Sequence, residues 1–335
     1  MNEVSTAEVV VVEDVWGTAL EDLALRRSVV RDPKAWSDSR YLADRVARAK
    51  ALVVRNRTKV TAELLDAAPQ LKVVARAGVG LDNIDIDAAD ERGVVVVAAL
   101  GANATSVAEH TLALALSVAR NIRGLDADTR AGGWNRSPGS ELAGGTWGLL
   151  SAGMTARATA RLAGYLGMEV VAYDPFVPAD HPEVRELGIR LTDIEEVARQ
   201  ADVLSVHLPS TTDTQGIVGA ELLALMKPTA ILVNSGRGEV VDEKALASAL
   251  KERSILGAGL DVRSQEPPAQ PDPLAALDSV VLTPHIAGIT HQSQARIVRM
   301  LCEDIDRVLD GADARFAVGT HYRPGAMTPG EGTSS

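Results

Sequence analysis

The feature that most constrains the fold of this chain is a strand–turn–helix–strand pattern near its middle. A short apolar run, Trp147–Leu150, passes through the small-residue turn Ser151–Gly153 into a helical pattern over Met154–Leu166. A second apolar run, Met168–Tyr173, then ends at the acid Asp174. This order of elements is typical of a dinucleotide-binding βαβ unit, in which the helix N-terminus receives the pyrophosphate.

The glycine signature of such a unit is incomplete at one position. Asp174 lies 21 residues beyond Gly153, close to the spacing of about 20 at which a carboxylate receives the ribose hydroxyls. At the three small-residue positions of G-x-G-x-x-G/A the chain has Ser151, Gly153 and Ala156. Ala156 fits the permitted variant, but Ser151 puts a side chain where the tight turn needs glycine. Taken alone, the segment is equally consistent with a strand–turn–helix that binds no nucleotide.

The rest of the chain alternates short apolar runs with helical patterns. Strands are predicted at Val9–Val12, Val29-Val30, Ala51–Val54, Lys72–Ala75, Val94–Val97, Val203–Leu208, Ala230–Asn234, Gly257–Asp261 and Val280–Thr283. Helices are predicted at Gly17–Arg26, Asp38–Ala49, Thr61–Ala67, Asp85–Arg92, Val107–Asn121, Asp193–Gln200, Leu222–Leu225, Asp242–Glu252 and Gln292–Leu309. A loop around Gly132–Arg136 is predicted before the strand at Trp147. The short connections favour parallel α/β sheets.

The composition bounds the class of protein. The 335 residues suggest two domains, and 46% hydrophobic with only 3% aromatic residues suits parallel sheets covered by Ala-rich helices. A net charge of −11 argues against a nucleic-acid partner. The single cysteine, Cys302, excludes an internal disulfide framework and a cysteine zinc site, and we predict no metal site. Since no leader pattern or long apolar run is present, we expect no membrane partner and a cytoplasmic location.

Three polar residues in the second half stand just after predicted strands. Each of Arg237, Glu266 and His285 follows such a strand end, and the carboxyl ends of parallel strands share one edge, where ligands bind. A histidine beside a carboxylate is held in one tautomer, and an arginine can grip a carboxylate with two hydrogen bonds. The trio can therefore bind an α-hydroxy or α-keto acid and move a proton at its oxygen. A loop role is the commoner explanation for any one of them alone, but their shared position favours catalysis.

Several motifs together resemble the D-isomer-specific 2-hydroxyacid dehydrogenase family, over the chain to about residue 315. The matching segments are Gly78–Asp85, Gly101–His110, Val171–Pro175, Val206–Pro209, Asn234–Asp242, Leu260–Pro267 and Thr283–Ile286. The resemblance implies an α/β fold of two doubly wound (Rossmann-like) parallel-sheet domains, with an NAD-binding domain inserted into a flavodoxin-like substrate domain. It also implies an NAD-dependent oxidoreductase that transfers a hydride between NAD(H) and a D-2-hydroxy acid or 2-keto acid.

The resemblance also implies domain boundaries and an assembly. The substrate domain would comprise residues 1–100 and 290–318, and the NAD-binding domain residues 101–289. We expect the tail, 319–335, to be disordered because it is rich in Gly, Pro, Ser and Thr. Members of the family are commonly dimers, so the expected partner is a second copy bound through the 103–121 helix.

Residue roles follow from the same resemblance. His285 matches the acid/base histidine, Glu266 the carboxylate that supports it, and Arg237 the arginine that binds the substrate carboxylate. The residues assigned to NAD are Ser151, Gly153, Met154, Thr155, Asp174, His207, Pro209, Thr214, Ser235, Gly236, Asp261, His285 and Gly288. The residues assigned to a small anionic substrate are Arg55, Arg76, Val79, Gly80, Asn103, Arg136 and Arg237.

Within the family, the chain is most similar to the phosphoglycerate dehydrogenase subgroup. Arg55, Arg76 and Arg136 resemble positions that surround the substrate phosphate there, and clustered arginines suit a dianionic group. We therefore expect a phosphorylated, 3-phosphoglycerate-like substrate, without the C-terminal regulatory domain that many of these proteins carry.

Departures from the family pattern at Ser151, Ala98 and Leu100 leave two alternatives open. One is a catalytically impaired NAD(H)-binding or corepressor-like protein on the same fold. The other is a reductase of another 2-keto acid, such as hydroxypyruvate, glyoxylate or phosphonopyruvate.

Overall fold

The computed structural model describes residues 7–78 and 80–321, and the chain divides into two compact units. The first unit combines the chain up to Asn103 with the segment from His291 onward. The second unit spans Ala104–Thr290, so along the chain it is inserted into the first.

The first unit is built on a six-stranded sheet. Its elements are β1 (Val9–Val11), α1 (Thr18–Arg26), β2 (Val29–Arg31), α2 (Ser39–Val46), β3 (Ala51–Val54), α3 (Ala62–Asp66), β4 (Val73–Arg76), α4 (Ile86–Glu91), β5 (Val95–Ala98), α12 (His291–Leu309) and β13 (Ala317–Val318). The strand order is β13-β5-β4-β3-β1-β2, and every pair is parallel except β13 with β5. Its parallel part has the flavodoxin-like order, with a switch point between β1 and β3.

Both faces of this sheet are covered, which explains why its strands are continuously apolar. Successive side chains on a strand point to opposite faces, so Val9 and Val11 join one buried cluster while Val10 joins the other. Helices α1 and α12 cover the first of these faces. Their outer sides are joined where Asp306 of α12 accepts hydrogen bonds from Arg26 at 2.8 Å and Arg27 at 2.6 Å.

The second unit is built on a seven-stranded, wholly parallel sheet. Its elements are α5 (Ala104–Ala119), α6 (Ile122–Arg130), β6 (Thr146–Leu150), α7 (Met154–Tyr165), β7 (Glu169–Tyr173), α8 (Pro182–Glu186), β8 (Arg190–Leu191), α9 (Ile194–Gln200), β9 (Val203–Val206), α10 (Ala220–Leu225), β10 (Ile231–Asn234), α11 (Glu243–Lys251), β11 (Gly257–Leu260) and β12 (Val280–Leu282). The strand order is β12-β11-β10-β9-β6-β7-β8.

This order is that of a dinucleotide-binding sheet, and its direction reverses between β6 and β9. Ligands bind such sheets outside the carboxyl ends of the strands at the reversal. The buried clusters on the two faces include Leu150 and Leu149 respectively, so helices cover both faces here too. The predicted fold class of two doubly wound parallel-sheet units is confirmed.

Several local predictions were incomplete or wrong. The loop predicted around Gly132–Arg136 is present, but the helix α6 that precedes it was not predicted, and it buries no residue. The long helix α5 ends at Ala119, before Asn121 adopts a left-handed backbone (φ 47°). The tail expected to be disordered over 319–335 is ordered at Gly319–His321, a 3-10 turn, and residues 322–335 lie outside the described residues. Within the described ranges, no helix is long and apolar enough to span a membrane.

Candidate active site

A histidine–carboxylate pair stands at the carboxyl edge of the second unit's sheet. His285 follows β12, Glu266 follows β11, and His285 Nδ1 lies 2.7 Å from Glu266 Oε2. Glu266 Oε1 accepts a second hydrogen bond, from the backbone N–H of Arg263 at 3.1 Å. Because Glu266 engages Nδ1, the ring nitrogen left for a ligand is Nε2. His285 holds this position with a left-handed backbone (φ 56°), which is uncommon for a residue other than glycine.

Asp261 fixes the backbone on either side of His285. Its carbonyl oxygen accepts the His285 N–H at 2.7 Å, and its carboxylate accepts the N–H groups of Ile286 at 2.9 Å and Ala287 at 2.8 Å. Burial would raise the pKa of the Asp261 carboxyl, but these and its side-chain hydrogen bonds outweigh burial and lower that pKa. Asp261 is therefore a buried carboxylate that holds the His285 loop through main-chain bonds.

Two side-chain hydrogen bonds in series connect α5 to the same carboxylate. The Thr283 hydroxyl donates to Asp261 Oδ1 at 2.6 Å and accepts from His110 Nε2 at 2.9 Å. The sequence motifs contain His110 and Thr283, but nothing in their spacing predicts that they meet.

Arg237 follows β10, the strand beside β11 and β12. Its turn is shaped by the buried Asn234, whose side chain donates to Arg237 O at 3.0 Å and accepts from Gly236 N at 3.1 Å. The Arg237 Nη1 group donates to Gly236 O at 3.0 Å. The structure therefore places Arg237, Glu266 and His285 after three neighbouring parallel strands of one sheet.

The turn after β6 accommodates Ser151 in a left-handed conformation (φ 112°). The Ser151 hydroxyl oxygen accepts the Gly153 N–H at 2.9 Å and lies 3.4 Å from Asp174 Oδ2. The same Asp174 oxygen accepts the Ala152 N–H at 2.9 Å. With serine in place of glycine, the backbone of the turn is strained, and the serine hydroxyl holds the turn by hydrogen bonds.

Helix α7 presents an open N-terminus beside this turn. Its N-cap, Gly153, supplies no side-chain hydrogen bond, so the first-turn N–H groups of Met154 and Thr155 are left for a ligand. Asp174 stands at the end of the adjacent strand β7, and its second oxygen accepts the N–H groups of Phe176 at 2.9 Å and Val177 at 3.2 Å.

On the other side of the strand reversal, His207 follows β9. Trp147 Nε1 donates to Ser205 Oγ at 2.8 Å, and Ser205 Oγ lies 3.0 Å from His207 Nε2. Burial lowers the pKa of His207 to about 4, so the ring is neutral at pH 7. Its Nδ1 is buried and has no partner among the described residues.

The remaining cofactor candidates lie in loops at the same edge. The Thr214 hydroxyl donates to Pro209 O at 2.6 Å, and the Ser235 hydroxyl lies 2.7 Å from that of Thr111. Gly236 is held close to the chain after β9, because an added Cβ would lie 3.0 Å from Val206 O. Gly288 lies in the loop that follows His285.

These features fit a dinucleotide. The open α7 N-terminus suits a pyrophosphate, and Asp174 stands where a ribose is bound in such sheets. Beside the strand reversal, the buried Nδ1 of His207 is a polar atom with no partner within the described part of the chain. Met154, Thr155, Asp174 and His207 are the residues that would hold the dinucleotide.

The substrate candidates are divided between the two units. Arg55, Arg76, Gly80 and Asn103 belong to the first unit, whereas Arg136 and Arg237 belong to the second. Val79 lies outside the described residues. Arg136 is exposed in the segment after α6, and the buried Oδ1 of Asn103 has no partner among the described residues.

Arg55 and Arg76 are brought to one sheet edge. Arg55 follows β3, Arg76 ends β4, and these strands are neighbours in register. The Arg55 guanidinium lies 5.5 Å from the centre of the Trp16 ring. Arg76 lies across Gly78, where an added Cβ would be 1.4 Å from Arg76 Nη1, so a larger residue there would displace the guanidinium.

The loop that begins at Arg55 is organised by a residue the sequence did not single out. The buried carboxylate of Glu13, after β1, accepts the backbone N–H groups of the loop residues at 2.8–3.1 Å; these are Arg55, Asn56, Arg57 and Thr58. Burial would raise the pKa of Glu13, but these bonds lower it, so the carboxylate is ionised. An acid directly after a buried strand is the signal that would have identified it.

Most of the second unit matches the model of a known protein family. Residues 112–287 match the family model described as D-isomer specific 2-hydroxyacid dehydrogenase, NAD binding domain. A solved structure of D-lactate dehydrogenase from Aquifex aeolicus, complexed with NAD and lactic acid, is similar with a TM-score of 0.78 and 27% identity, covering 90% of this chain and 96% of that one.

Curated relatives extend the likeness to most of the chain. The D-3-phosphoglycerate dehydrogenase of Archaeoglobus fulgidus is 43% identical over 82% of this chain and 52% of its own length. The (S)-sulfolactate dehydrogenase of Chromohalobacter salexigens is 40% identical over 90% of this chain and 98% of its own length. The chain thus spans about half the length of the phosphoglycerate dehydrogenases it matches, and nearly all of the sulfolactate dehydrogenase.

Proposed function

The chain belongs to the D-isomer specific 2-hydroxyacid dehydrogenase family, and on that basis we propose that it transfers a hydride between NAD(H) and a 2-hydroxy acid that carries a second anionic group. The observation that carries this proposal is the His285–Glu266 pair, 2.7 Å apart, at the edge of the sheet that matches the NAD binding domain. The intact pair argues against a protein that only binds NAD(H).

His285 moves the proton in this reaction. During oxidation, its Nε2 accepts the proton of the C2 hydroxyl, and Glu266 stabilises the resulting imidazolium through Nδ1. Met154, Thr155, Asp174 and His207 would hold NAD, which would supply the acceptor for the hydride from C2. In the reverse direction, the imidazolium returns the proton to the carbonyl oxygen.

Arg237 orients the substrate. Its planar guanidinium offers paired donors that match a carboxylate, and its place beside β11 and β12 brings it to the edge where His285 stands. Bidentate binding of the C1 carboxylate would fix the position of C2.

The second anionic group of the substrate is assigned to Arg55 and Arg76. Both stand at the carboxyl ends of neighbouring strands in the first unit, and clustered guanidinium groups suit a tetrahedral oxyanion. Phosphate is the first candidate because the phosphoglycerate dehydrogenases are among the relatives, which favours a 3-phosphoglycerate-like substrate.

A sulfonate is the second candidate for this group. An (S)-sulfolactate dehydrogenase is among the relatives, and this chain covers 98% of its length. A sulfonate is tetrahedral like a phosphate but carries a single negative charge, so the same arginines can receive it.

Steady-state NADH formation separates these candidates. The expected result is turnover of 3-phosphoglycerate or 3-sulfolactate with kcat/KM at least about 100-fold above that of glycerate and lactate, because these smaller acids lack the group that the arginines would bind. Equal rates with lactate would overturn the assignment of a second anion. The binding-protein alternative would be favoured by tight NADH binding without turnover. That means no oxidation of any of these hydroxy acids and no reduction of hydroxypyruvate, glyoxylate or phosphonopyruvate.

We also propose a homodimer formed through the 103–121 helix. In and after α5, large apolar side chains are left exposed on the second unit: Leu116 is 37%, Ile122 54% and Trp134 81% exposed. Sedimentation of the wild type should give twice the monomer mass, and Ile122→Asp should shift it toward the monomer. A monomeric wild type would contradict the proposal.

A further inference from the structure

The loop that carries Glu266 is held by a charged network that lies outside the residues assigned to substrate or NAD. At its centre is Arg263, three residues before Glu266 and with a side chain only 8% exposed. Its guanidinium binds Asp272 with bonds of 2.6 and 3.0 Å and Glu243 with bonds of 3.1 and 2.9 Å. We call Glu243, Arg263 and Asp272 the clamp.

Each member of the clamp also holds a segment of main chain. Glu243 accepts the Ser264 N–H at 2.8 Å, and Asp272 accepts the Leu274 N–H at 3.0 Å. Arg263 itself donates its backbone N–H to Glu266 Oε1 at 3.1 Å. The clamp therefore spans the whole loop from β11 to the segment before β12, and one of its bonds ends on the carboxylate that binds His285.

The clamp also reaches the Arg237 turn. Glu243 is the first residue of α11, which follows that turn along the chain. Gly238, next to Arg237, lies so close to the main chain of Arg263 that an added Cβ would be 1.9 Å from its carbonyl carbon. Both the side chain and the backbone of Arg263 thus contact the segment that carries Arg237.

The lowered pKa values of its two carboxyl groups indicate that the clamp is ionised. Arg263 holds the pKa of the Asp272 carboxyl below its usual range, and for Glu243 the bonds from Arg263 and Ser264 outweigh burial and lower its pKa as well. Such an arrangement is geometrically demanding because only a planar guanidinium can satisfy two carboxylates with paired bonds.

We infer that Arg263 is a positioning residue for the proposed reaction: through Glu243 and Asp272 it fixes the Glu266 carboxylate, and with it the tautomer and orientation of His285, relative to Arg237. This inference rests on the proposed function. Small displacements of a proton-transfer group cost up to about 100-fold in rate, so loosening the clamp should lower kcat without removing any group that touches substrate.

Two mild substitutions test the inference, because removing Arg263 altogether leaves two buried carboxylates unpaired and endangers folding. Arg263→Lys keeps the charge but not the paired bonds, and Glu243→Gln keeps an acceptor for Ser264 but loses the ion pair. Lys227→Met is the matched control, since it breaks a salt bridge of 2.8 Å to Asp202 in the same unit, before the amino end of β10.

The expected result is that both clamp variants lower kcat about 10-fold and leave the NADH dissociation constant within about twofold, whereas Lys227→Met changes neither. When Glu266→Gln is already present, adding Arg263→Lys should lower kcat by less than a further twofold or so, because the effect of Arg263 passes through Glu266. Equal losses of kcat with and without Glu266, or no loss relative to the control, would overturn the inference.

A second readout does not depend on turnover. The imidazole nitrogen signals of His285, assigned with the His285→Gln variant by nuclear magnetic resonance of ¹⁵N-histidine-labelled protein, should shift toward mixed tautomers in Arg263→Lys and stay unchanged in Lys227→Met. Unchanged signals in both would overturn the positioning role. A wild type without turnover but with a shifted His285 in Arg263→Lys would instead overturn the proposed function alone.

Discussion

The carboxyl edge of the second unit's sheet has two sides, and they are held in different ways. The nucleotide side, after β6, β7 and β9, is fixed by hydrogen bonds of hydroxyl, indole and carboxylate groups to neutral partners, such as Ser151 to Gly153 at 2.9 Å. The proton side, after β10, β11 and β12, is also fixed by ion pairs, such as Arg263 to Asp272 at 2.6 Å.

Each side also carries one strained residue other than glycine. Ser151 has φ 112° and His285 has φ 56°. Glycine would serve the turn at Ser151 without strain, whereas at His285 the side chain itself is used, through its bond to Glu266. The strain at Ser151 is thus removable, and the strain at His285 is tied to the chemistry.

The largest effect is expected on the proton side. His285→Gln should lower kcat about 100-fold or more, because it removes the group that accepts the substrate proton. NADH affinity should be nearly unchanged, since the nucleotide side is untouched. Steady-state rates combined with NADH titration check both statements, and an unaffected kcat would remove His285 from the mechanism.

A pH effect on stability is expected from the nucleotide side. His207 is neutral in the fold, with its pKa lowered to about 4 from 6.5, so the unfolded chain binds an extra proton below pH 6.5. Between pH 6.5 and 4 the wild type should therefore lose up to about 3 kcal/mol of unfolding free energy that His207→Gln does not lose.

Denaturant titration of both proteins without NAD across this range measures the difference. Above pH 6.5 the two curves should run parallel, because neither state gains a proton at this residue. Parallel curves down to pH 4 would mean that His207 titrates normally in the folded protein.

A smaller effect is expected at the acid of the nucleotide side. Asp174→Ala should weaken NAD binding about 10-fold and narrow the preference for NAD over NADP, because Asp174 would no longer accept the ribose hydroxyls. It also removes the bond to Ala152 N–H, so melting temperature should be recorded alongside. Unchanged affinities for both cofactors would show that Asp174 serves the turn only.

The smallest effect is expected at Ser151. Ser151→Gly should relieve the strained backbone and free the Gly153 N–H, raising NADH affinity by about two- to fivefold. Ser151→Ala is the matched control, since it keeps the strain and loses the hydroxyl, and it should be about 1 kcal/mol less stable than the glycine variant. If the glycine variant binds NADH more weakly, the serine contributes to the cofactor site directly.

Local patterns in the sequence predicted the strands, the helices and the site residues that follow them. Contacts between side chains distant in sequence were not predicted. The βαβ pattern and the places of Arg237, Glu266 and His285 after neighbouring strands were readable because short apolar runs mark the strands. The clamp was not, since Glu243, Arg263 and Asp272 meet only after the sheet has formed.

The helix α6 was missed for a different physical reason. It is short, and its apolar residues Ile122 and Leu125 are too few to establish a helical period in the sequence. Glu13 was missed because the backbone N–H groups that it binds can come from any residue type, so only its place after a buried strand marks it in the sequence.

The central claim is that a hydride passes between C2 of a 2-hydroxy acid and NAD at His285. Incubating the protein with NAD and a C2-deuterated 3-phosphoglycerate or 3-sulfolactate tests it most directly. We expect deuterium at C4 of the reduced nicotinamide, with the rate of transfer about 100-fold or more lower in His285→Gln. Reduced nicotinamide without deuterium, or equal transfer in that variant, would contradict it.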